Sequence, residues 1–265
     1  GDSQTVTAQA AGGATTTVYE TALVDGRTEL SDPAVNSDTR EAVSGTFQVS
    51  ATDGVASVTV LGQTFVPGGP LPQDINTGYG LLDITSFVLA ADGKSATVGY
   101  TYTLSDNVLT PPAGIDYFDD IGNGITVTGV SGASSASVDL QIRIIDDTPL
   151  AVNDAGGTVT EDGAGSLGGN VLDNDEAGAD KPAVFVSWGA DAAAVAALNS
   201  YGTLVRDPST GDWSYVLDNS RPATQALGAS FNQTYTLNYT MADADGDQST
   251  ATLTITVKGA GDSQT

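Results

Sequence analysis

The sequence contains no cysteine and no histidine among its 265 residues. Without cysteine there is no disulfide framework, no thiolate nucleophile and no cysteine-ligated metal. Without histidine the chain lacks the usual general base, the commonest ligand of transition metals and any serine–histidine triad. We therefore expect the protein not to be an enzyme.

Basic residues are scarce as well. The chain has 8 lysines and arginines and 33 acidic residues, which gives a formal net charge of −25. A surface this negative repels nucleic acid and anionic membranes, so we expect neither as a partner. No apolar run reaches the length of a transmembrane helix, and no membrane insertion is expected. The charge favours cation binding, or simple solubility in a salty exterior.

Helical patterns are nearly absent, whereas many short runs alternate between apolar and polar residues. The clearest runs are 235–241 and 251–257, which flank an acidic turn. Further hairpins are predicted around Asp53-Gly54, around Asp92-Gly93 and at 207–212. Only residues 191–199 suggest a helix, with Asp191 as its N-cap, and residues 105–124 are predicted to form a long loop. Many short strands with glycine-rich turns predict an all-β protein made of β-sandwiches.

The middle of the chain contains a short acidic punctuation, Asp146-Asp147-Thr148-Pro149. Pro149 fixes its own φ and favours an extended conformation for Thr148, so we expect a stiff joint between two domains, residues 1–147 and 148–260. The last five residues repeat the first five, Gly-Asp-Ser-Gln-Thr. We expect residues 261–265 to begin the next copy of a tandem array with a period of about 260 residues. A duplicated cloning scar is the alternative.

The acidic residues at turns suggest a hard cation. At an effective dielectric constant near 20, two carboxylates roughly 5 Å apart repel by about 3 kcal/mol before relaxation. Asp243, Asp245 and Asp247 alternate in one loop, and such oxygen-rich loops suit Ca²⁺, which takes six to eight oxygen ligands. The loop is not an EF-hand, because the twelfth position is Thr254 rather than glutamate. The alternative is that these residues only make turns.

Sandwich topology predicts where these acids meet. In an immunoglobulin-like domain the loop at 173–175 and the loop at 243–247 share the tip where the chain enters. We expect both to lie towards Asp146 and Asp147, together with Glu20 and the loop at 116–120 of the first domain. The candidate metal ligands are Glu20, Asp116, Asp119, Asp146, Asp147, Asp154, Glu161, Asp162, Asp173, Asp175, Asp243, Asp245 and Asp247.

Three stretches resemble repeats of giant bacterial adhesins that are exported by type I secretion, the RTX adhesins. Residues 146–154 resemble the joint between such repeats, residues 211–257 resemble the VCBS repeat, and residues 18–60 resemble its companion repeat. The resemblance implies an extracellular, cadherin-like module at the bacterial cell surface, in which Ca²⁺ makes tandem sandwiches rigid. It implies neighbouring repeats of the same chain as partners, and a monomer.

The resemblance also implies which residues bind calcium. The positions that match the calcium ligands of cadherins are Glu20, Asp119, Asp147, Asp173, Asp175, Asp243 and Asp245. The first domain departs from the pattern, because the turn at 129–135 contains no acidic residue. Whether that end of the first domain holds a full calcium site is therefore left open by the sequence.

Two functions remain open from the sequence. The first is a calcium-rigidified spacer of a large adhesin, involved in cell adhesion and biofilm formation. The alternative is a module that binds a surface glycan, peptide or protein through the long loops of the first domain. A glycosidase that uses paired carboxylates is the third possibility considered, and it is disfavoured because the acids lie at turns rather than in an aromatic cleft.

Overall fold

A computed structural model of the protein describes residues 3–7, 17–26, 39–71, 73–109, 117–120, 124–135, 137, 139–163 and 165–261. The chain divides into two units, residues 1–147 and 148–265, called unit 1 and unit 2 below. No helix among the described residues is long and apolar enough to cross a membrane.

The described residues of unit 1 form strands and one short 3₁₀ turn, Glu20–Ala22. The strands are β1 (Gln4–Thr7), β2 (Thr17–Tyr19), β3 (Ala42–Ala51), β4 (Val55–Val60), β5 (Gln63–Phe65), β6 (Gln73–Asn76), β7 (Gly80–Leu89), β8 (Ser95–Leu104), β9 (Tyr117–Asp120), β10 (Ile125–Gly129) and β11 (Ile142–Ile145).

The described strands of unit 1 form three sheets around its core. Their strand orders are β1-β3-β8-β7-β6, β10-β4-β5 and β2-β11-β9. Alternate residues of β8 point inward, and Val98, Tyr100, Tyr102 and Leu104 are all buried against residues such as Phe47. Because apolar and polar residues alternate along these strands, the apolar side chains of facing sheets pack into one core.

Unit 2 contains strands and two helices among its described residues. These are β12 (Asp154–Thr160), β13 (Ser166–Asn170), β14 (Val184–Trp188), α1 (Ala192–Tyr201), β15 (Gly202–Arg206), β16 (Asp212–Leu217), α2 (Pro222–Gln225), β17 (Asn232–Ala242) and β18 (Gln248–Lys258).

Two sheets face each other in unit 2, with strand orders β12-β18-β17-β14 and β13-β16-β15. Leu237, Tyr239, Leu253 and Ile255 point inward from β17 and β18 and are buried together with Tyr215 of β16. The threonines between them face outward, as a half-buried strand requires. Both units are all-β sandwiches of the immunoglobulin-like type, which confirms the predicted fold class.

The hairpins predicted around Asp92-Gly93, at 207–212 and at 243–247 are confirmed. They join β7 to β8, β15 to β16, and β17 to β18, and each pair of strands is antiparallel. The prediction for Asp53-Gly54 is wrong, because β3 pairs with β1 and β8 whereas β4 pairs with β5 and β10. This turn carries the chain from one sheet to another, and Asp53 Oδ2 accepts a hydrogen bond from the N–H of Ser131 at 2.5 Å.

Two further predictions need correction. The segment 105–124 is not wholly loop, because β9 pairs with β11 and places Asp119 opposite Arg143; Asp116 lies outside the described residues. The helix predicted at 191–199 is confirmed as α1, but Asp191 makes no capping bond to it. Its carboxylate instead accepts hydrogen bonds from the backbone and side-chain N–H groups of Asn238, at 2.7 and 2.6 Å.

Candidate metal centre

A cluster of three carboxylates lies in unit 2, formed by Asp180, Asp243 and Asp245. One carboxylate oxygen from each lies within 4.8 Å of the others. Asp180 and Asp243 are buried, with 0% and 3% of their surface exposed. Buried carboxylates in one group are costly unless something balances their charge, so this cluster differs from acidic residues on an open surface.

The loop between β17 and β18 fixes the position of Asp243. Its Oδ1 accepts hydrogen bonds from the N–H groups of Gly246 at 3.1 Å and Asp247 at 2.8 Å. The N–H of Ala244 donates to the backbone oxygen of Asp180 at 2.9 Å, which ties this loop to the one between β13 and β14. The second oxygen of Asp243, Oδ2, is buried and receives no hydrogen bond from the described residues.

The electrostatics of Asp243 also point to a missing positive charge. Burial, and after it the nearby carboxylate of Asp245, raise the pKa of Asp243 to about 7 against the lowering effect of the Gly246 and Asp247 amides. The pocket therefore disfavours the bare anion. Three carboxylates whose oxygens lie within 4.8 Å of one another form a donor set that suits a hard cation such as Ca²⁺.

A second acidic group in unit 2 involves Asp154, Asp175 and Tyr239. Asp175 Oδ1 accepts a hydrogen bond from the N–H of Val152 at 2.7 Å, and the buried hydroxyl of Tyr239 donates to it at 2.9 Å. Burial is the largest cause that raises the pKa of Asp154 to about 6; the charges of Asp175 and Asp173 also raise it, and the Tyr239 hydroxyl lowers it. Asp175 therefore fixes the segment at Val152, just before β12. Asp173 is exposed.

Asp180 is the residue that sequence reasoning missed. The predicted ligands of its loop were Asp173 and Asp175, but Asp180 is the one that lies within 4.8 Å of Asp243 and Asp245. The available signal was its place in the same loop, which runs from β13 to β14 and shares a tip with the β17–β18 turn. Considering the whole loop rather than its first acidic triplet would have identified it.

Glu20 organises the end of unit 1 where the chain leaves it. The side chain is 1% exposed, and its Oε1 accepts a hydrogen bond from the N–H of Val108 at 2.6 Å. Its Oε2 accepts one from the N–H of Asp147 at 3.4 Å. Asp147 is buried, and Asp146 is partly buried. The loop after β8 is thus in contact with Glu20, while the expected approach of the loop at 116–120 stays a prediction, because its side chains lie outside the described part of the chain.

Glu161 and Asp162 lie at the other end of unit 2 from Asp243. β12 runs parallel to β18, and Thr160 at its end pairs with Lys258, the last residue of β18. Asp243 precedes the start of β18, so the two places are separated by ten residues of strand, or roughly 33 Å. The structure therefore does not bring Glu161 and Asp162 together with the Asp180–Asp243–Asp245 cluster.

Residues 146–259, which are most of unit 2, match the family profile of the bacterial cadherin-like domain. No curated protein sequence matches the chain. Among solved structures, protocadherin gamma B7 domains EC3–6 are 11% identical, with 97% of this chain and 50% of that chain covered and a TM-score of 0.31. The cadherin-like domains 1–4 of zebrafish RET are 14% identical, with coverages of 97% and 51% and a TM-score of 0.26. The chain thus spans about half the length of these structures.

Proposed function

We propose that the protein is a calcium-binding, extracellular spacer repeat of a large bacterial surface adhesin, with a role in cell adhesion and biofilm formation. The observation that carries the proposal is the cluster of Asp180, Asp243 and Asp245, in which the buried Oδ2 of Asp243 receives no hydrogen bond from the part of the chain that the structure describes. The bacterial cadherin-like match over residues 146–259 supports it, because that family consists of adhesion domains rather than enzymes.

Calcium would supply the charge that this cluster lacks. Asp180, Asp243 and Asp245 would hold the ion, and backbone oxygens and water would complete its coordination. An ion that binds only the folded state adds RT ln(1 + [Ca²⁺]/Kd) to the free energy of unfolding, or about 2.7 kcal/mol at a concentration of 100 Kd. Extracellular calcium modules bind with a Kd of about 10⁻⁴–10⁻³ M, so millimolar calcium would be the working range.

The spacer role rests on the joint at Asp146-Asp147-Thr148-Pro149. In this proposal the acids at the joint repel one another without calcium, so that the units hinge about Thr148-Pro149, and calcium removes the repulsion and stiffens the chain. The repeated Gly-Asp-Ser-Gln-Thr segment extends the proposal to a tandem array of an RTX-type, type I-secreted adhesin that contains VCBS repeats. The neighbouring repeats would then be the principal partners.

The first test is calcium-dependent melting of unit 2. Both tryptophans of the chain, Trp188 and Trp213, lie in unit 2, so their fluorescence reports its unfolding. We expect millimolar Ca²⁺ to raise the melting temperature relative to EDTA, and Asp243→Asn to remove most of that rise. Asp92→Asn is the matched control, because it removes one charge at a hairpin turn of unit 1. An identical melting curve in both buffers would overturn the calcium proposal.

The second test concerns the joint. We expect small-angle scattering to give a longer and narrower distribution of molecular lengths in Ca²⁺ than in EDTA. Asp147→Ala combined with Asp245→Ala should abolish this difference while each unit stays folded by circular dichroism. If the wild-type scattering is the same in both buffers although calcium still raises the melting temperature, the protein binds calcium but the spacer mechanism is wrong.

The alternative role, binding of a surface glycan, peptide or protein, stays a prediction. The cavity beneath residues 64–73 of unit 1 has a volume of about 40 Å³. A space of this size holds a water molecule or two rather than a sugar ring. This cavity therefore gives the ligand-binding role no support.

A further inference from the structure

The first and last strands of unit 2 lie side by side and run in the same direction. β12 is parallel to β18, and their register pairs Asp154 with Leu253 at the start and Thr160 with Lys258 at the end. The chain enters the sandwich just before β12 and leaves it just after β18. Tension on the chain would therefore act on unit 2 at opposite ends of this pair of strands.

Hydrogen bonds extend the pairing beyond both ends of β12. Before the strand, Asn153 Oδ1 accepts hydrogen bonds from the N–H of Thr252 at 3.0 Å and from its hydroxyl at 2.9 Å. After the strand, the N–H of Glu161 donates to the backbone oxygen of Lys258 at 2.9 Å. The segment 153–161 is thus fastened to β18 along its whole length, which is roughly 26 Å.

Of these two strands, β12 is the one that is less firmly held. Among the described strands β12 pairs with β18 alone, whereas β18 also pairs with β17 along its whole length. The register of β12 shifts between Ala155 and Gly157, and an unbroken run of pairs follows, from Gly157 to Thr160. Within this run Val159 lies opposite Val257, and both are buried in the core. Tension across unit 2 is therefore resisted first by the contact between β12 and β18.

The direction of pulling decides how strong such a contact is. The hydrogen bonds of a parallel pair run between the two strands, so a pull along the strands strains all of them at once. A pull across the strands at one end strains only the first bond, and the pair then opens one bond after another. Tension through the ends of unit 2 acts along β12 and β18, which is the more resistant direction.

We infer that the β12–β18 pair is a mechanical clamp, which sets the force at which unit 2 unfolds when the chain is under tension. The inference rests on the proposed spacer function, because a spacer between a cell and its adhesive contact transmits force through every repeat. Unfolding under force is governed by the rate of unfolding rather than by equilibrium stability. The contacts that break first therefore decide the strength of the repeat, whatever the rest of the core contributes to the melting temperature.

The test is single-molecule pulling of the full 265-residue chain by its two ends, in EDTA and in Ca²⁺. The length of chain that is released identifies the unit that unfolds. Unfolding of unit 2 between Asp154 and Lys258 releases about 35 nm of chain. Unfolding of unit 1 between Gln4 and Ile145 releases about 50 nm, so the two events can be told apart.

Two matched pairs of variants separate the clamp from ordinary stability. Val159→Ala and Val171→Ala shorten buried valines of the same core, but only Val159 lies in the β12–β18 pair. Asn153→Ala removes the bonds to Thr252, whereas Asn170→Ala removes bonds that tie the end of β13 to the β15–β16 turn. We expect all four to lower the melting temperature. Only Val159→Ala and Asn153→Ala should raise the unfolding rate of unit 2 at constant force, by about tenfold for the valine.

Pulling in another direction gives a second measurement. Because the chain has no cysteine, handles can be attached at introduced cysteines alone. Ala155→Cys and Thr254→Cys place the two handles directly opposite each other near the start of β12. A pull between them acts across the pair, and we expect it to separate β12 from β18 at a several-fold lower force than pulling by the ends. Far-UV circular dichroism checks that each variant is folded.

The outcomes separate this inference from the proposed function. If Val159→Ala and Asn153→Ala lower the melting temperature but leave the unfolding rate under force unchanged, the clamp is wrong while the calcium-binding spacer stands. An equal effect of all four variants on that rate, or equal forces in the two directions, would also overturn the clamp. If the clamp behaves as expected but Ca²⁺ does not change the melting curve, the proposed function loses its calcium site and the clamp stands.

Discussion

Two acidic turns of unit 2 show how differently the same residue type behaves in two settings. One turn joins β15 to β16 and starts at Asp207; the other joins β17 to β18 and starts at Asp243. Asp207 Oδ1 accepts hydrogen bonds from the hydroxyl of Ser209 at 2.6 Å and from its N–H at 2.8 Å. These bonds hold the pKa of Asp207 below its ordinary value, so the anion is stable where it is.

Asp243 also accepts backbone hydrogen bonds, yet its pKa moves the other way, to about 7. The difference is that burial is the largest cause at Asp243 and the carboxylate of Asp245 adds to it, whereas at Asp207 the hydrogen bonds from Ser209 outweigh burial. The comparison teaches that an acidic turn is complete when its own residues satisfy the carboxylate. Where they leave a buried oxygen unsatisfied, as at Asp243, the same composition supports the proposed cation site instead.

The largest expected effect is that Asp243→Asn destabilises unit 2 in Ca²⁺ but stabilises it in EDTA. At Ca²⁺ near 100 Kd, Asp243→Asn should lose up to about 2.7 kcal/mol of calcium-linked stability. In EDTA the same substitution should raise the melting temperature, because it removes a buried charge and its amide can donate to Asp245. Asp207→Asn should lower the melting temperature slightly and equally in both buffers. Tryptophan fluorescence measures all four differences, and an Asp243→Asn effect of one sign in both buffers would contradict the comparison.

The next effect is that the stability of unit 2 depends on pH when calcium is absent. The folded-state pKa values of Asp243 and Asp154, about 7 and about 6, lie above the ordinary value of 3.8. Between these values the folded protein binds more protons than the unfolded chain, so the free energy of unfolding falls as the pH rises through 5 to 7. We expect unit 2 in EDTA to melt about 5 °C higher near pH 5.5 than near pH 8.

Calcium should cancel or reverse this dependence, because the ion favours the ionised carboxylates and protons compete with it. Melting curves of unit 2 across this pH range, recorded in EDTA and in Ca²⁺, check the prediction. In EDTA, Asp243→Asn should remove the larger part of the fall in melting temperature with rising pH. A wild-type melting temperature in EDTA that rises steadily from pH 5 to pH 8 would show that the burial of these aspartates is not the controlling feature.

Local sequence patterns were sufficient for the strands and for most of the turns. The alternation of Tyr235, Leu237, Tyr239 and Met241 with polar residues specifies which face of β17 is buried, whatever its neighbours are. The Asp53-Gly54 turn shows where this reasoning stops. A tight turn between two alternating runs is local, but whether those runs pair or pass into different sheets depends on β8 and β10, which are distant in sequence.

The candidate metal site also depends on contacts between residues that are distant in sequence. The β17–β18 loop was recognised because its three aspartates alternate within five residues. Asp180 was missed because only folding brings it to Asp243, and the sequence likewise does not show that the N–H of Val108 donates to Glu20. Backbone donors leave no trace in composition, so contacts that depend on them cannot be predicted from residue types.

The smallest expected effect concerns the glycine in each turn. Gly211 and Gly246 have φ values of +78° and +106°, which L-residues with a Cβ rarely adopt. In Gly211→Ala the new Cβ would also lie 2.8 Å from Phe185 Cδ2. Each alanine substitution should cost about 1–2 kcal/mol of stability through backbone strain alone.

Calcium should distinguish the two substitutions. The N–H of Gly246 donates to Asp243 Oδ1, so strain at Gly246 also turns the carboxylate of the cluster. Gly211 makes no such contact, because its turn satisfies its own aspartate. We therefore expect Gly246→Ala to weaken calcium binding in calorimetric titrations by several-fold, and Gly211→Ala to leave it unchanged although both lower the melting temperature in EDTA. Equal calcium affinities in the two variants would mean that the β17–β18 loop does not orient Asp243 for an ion.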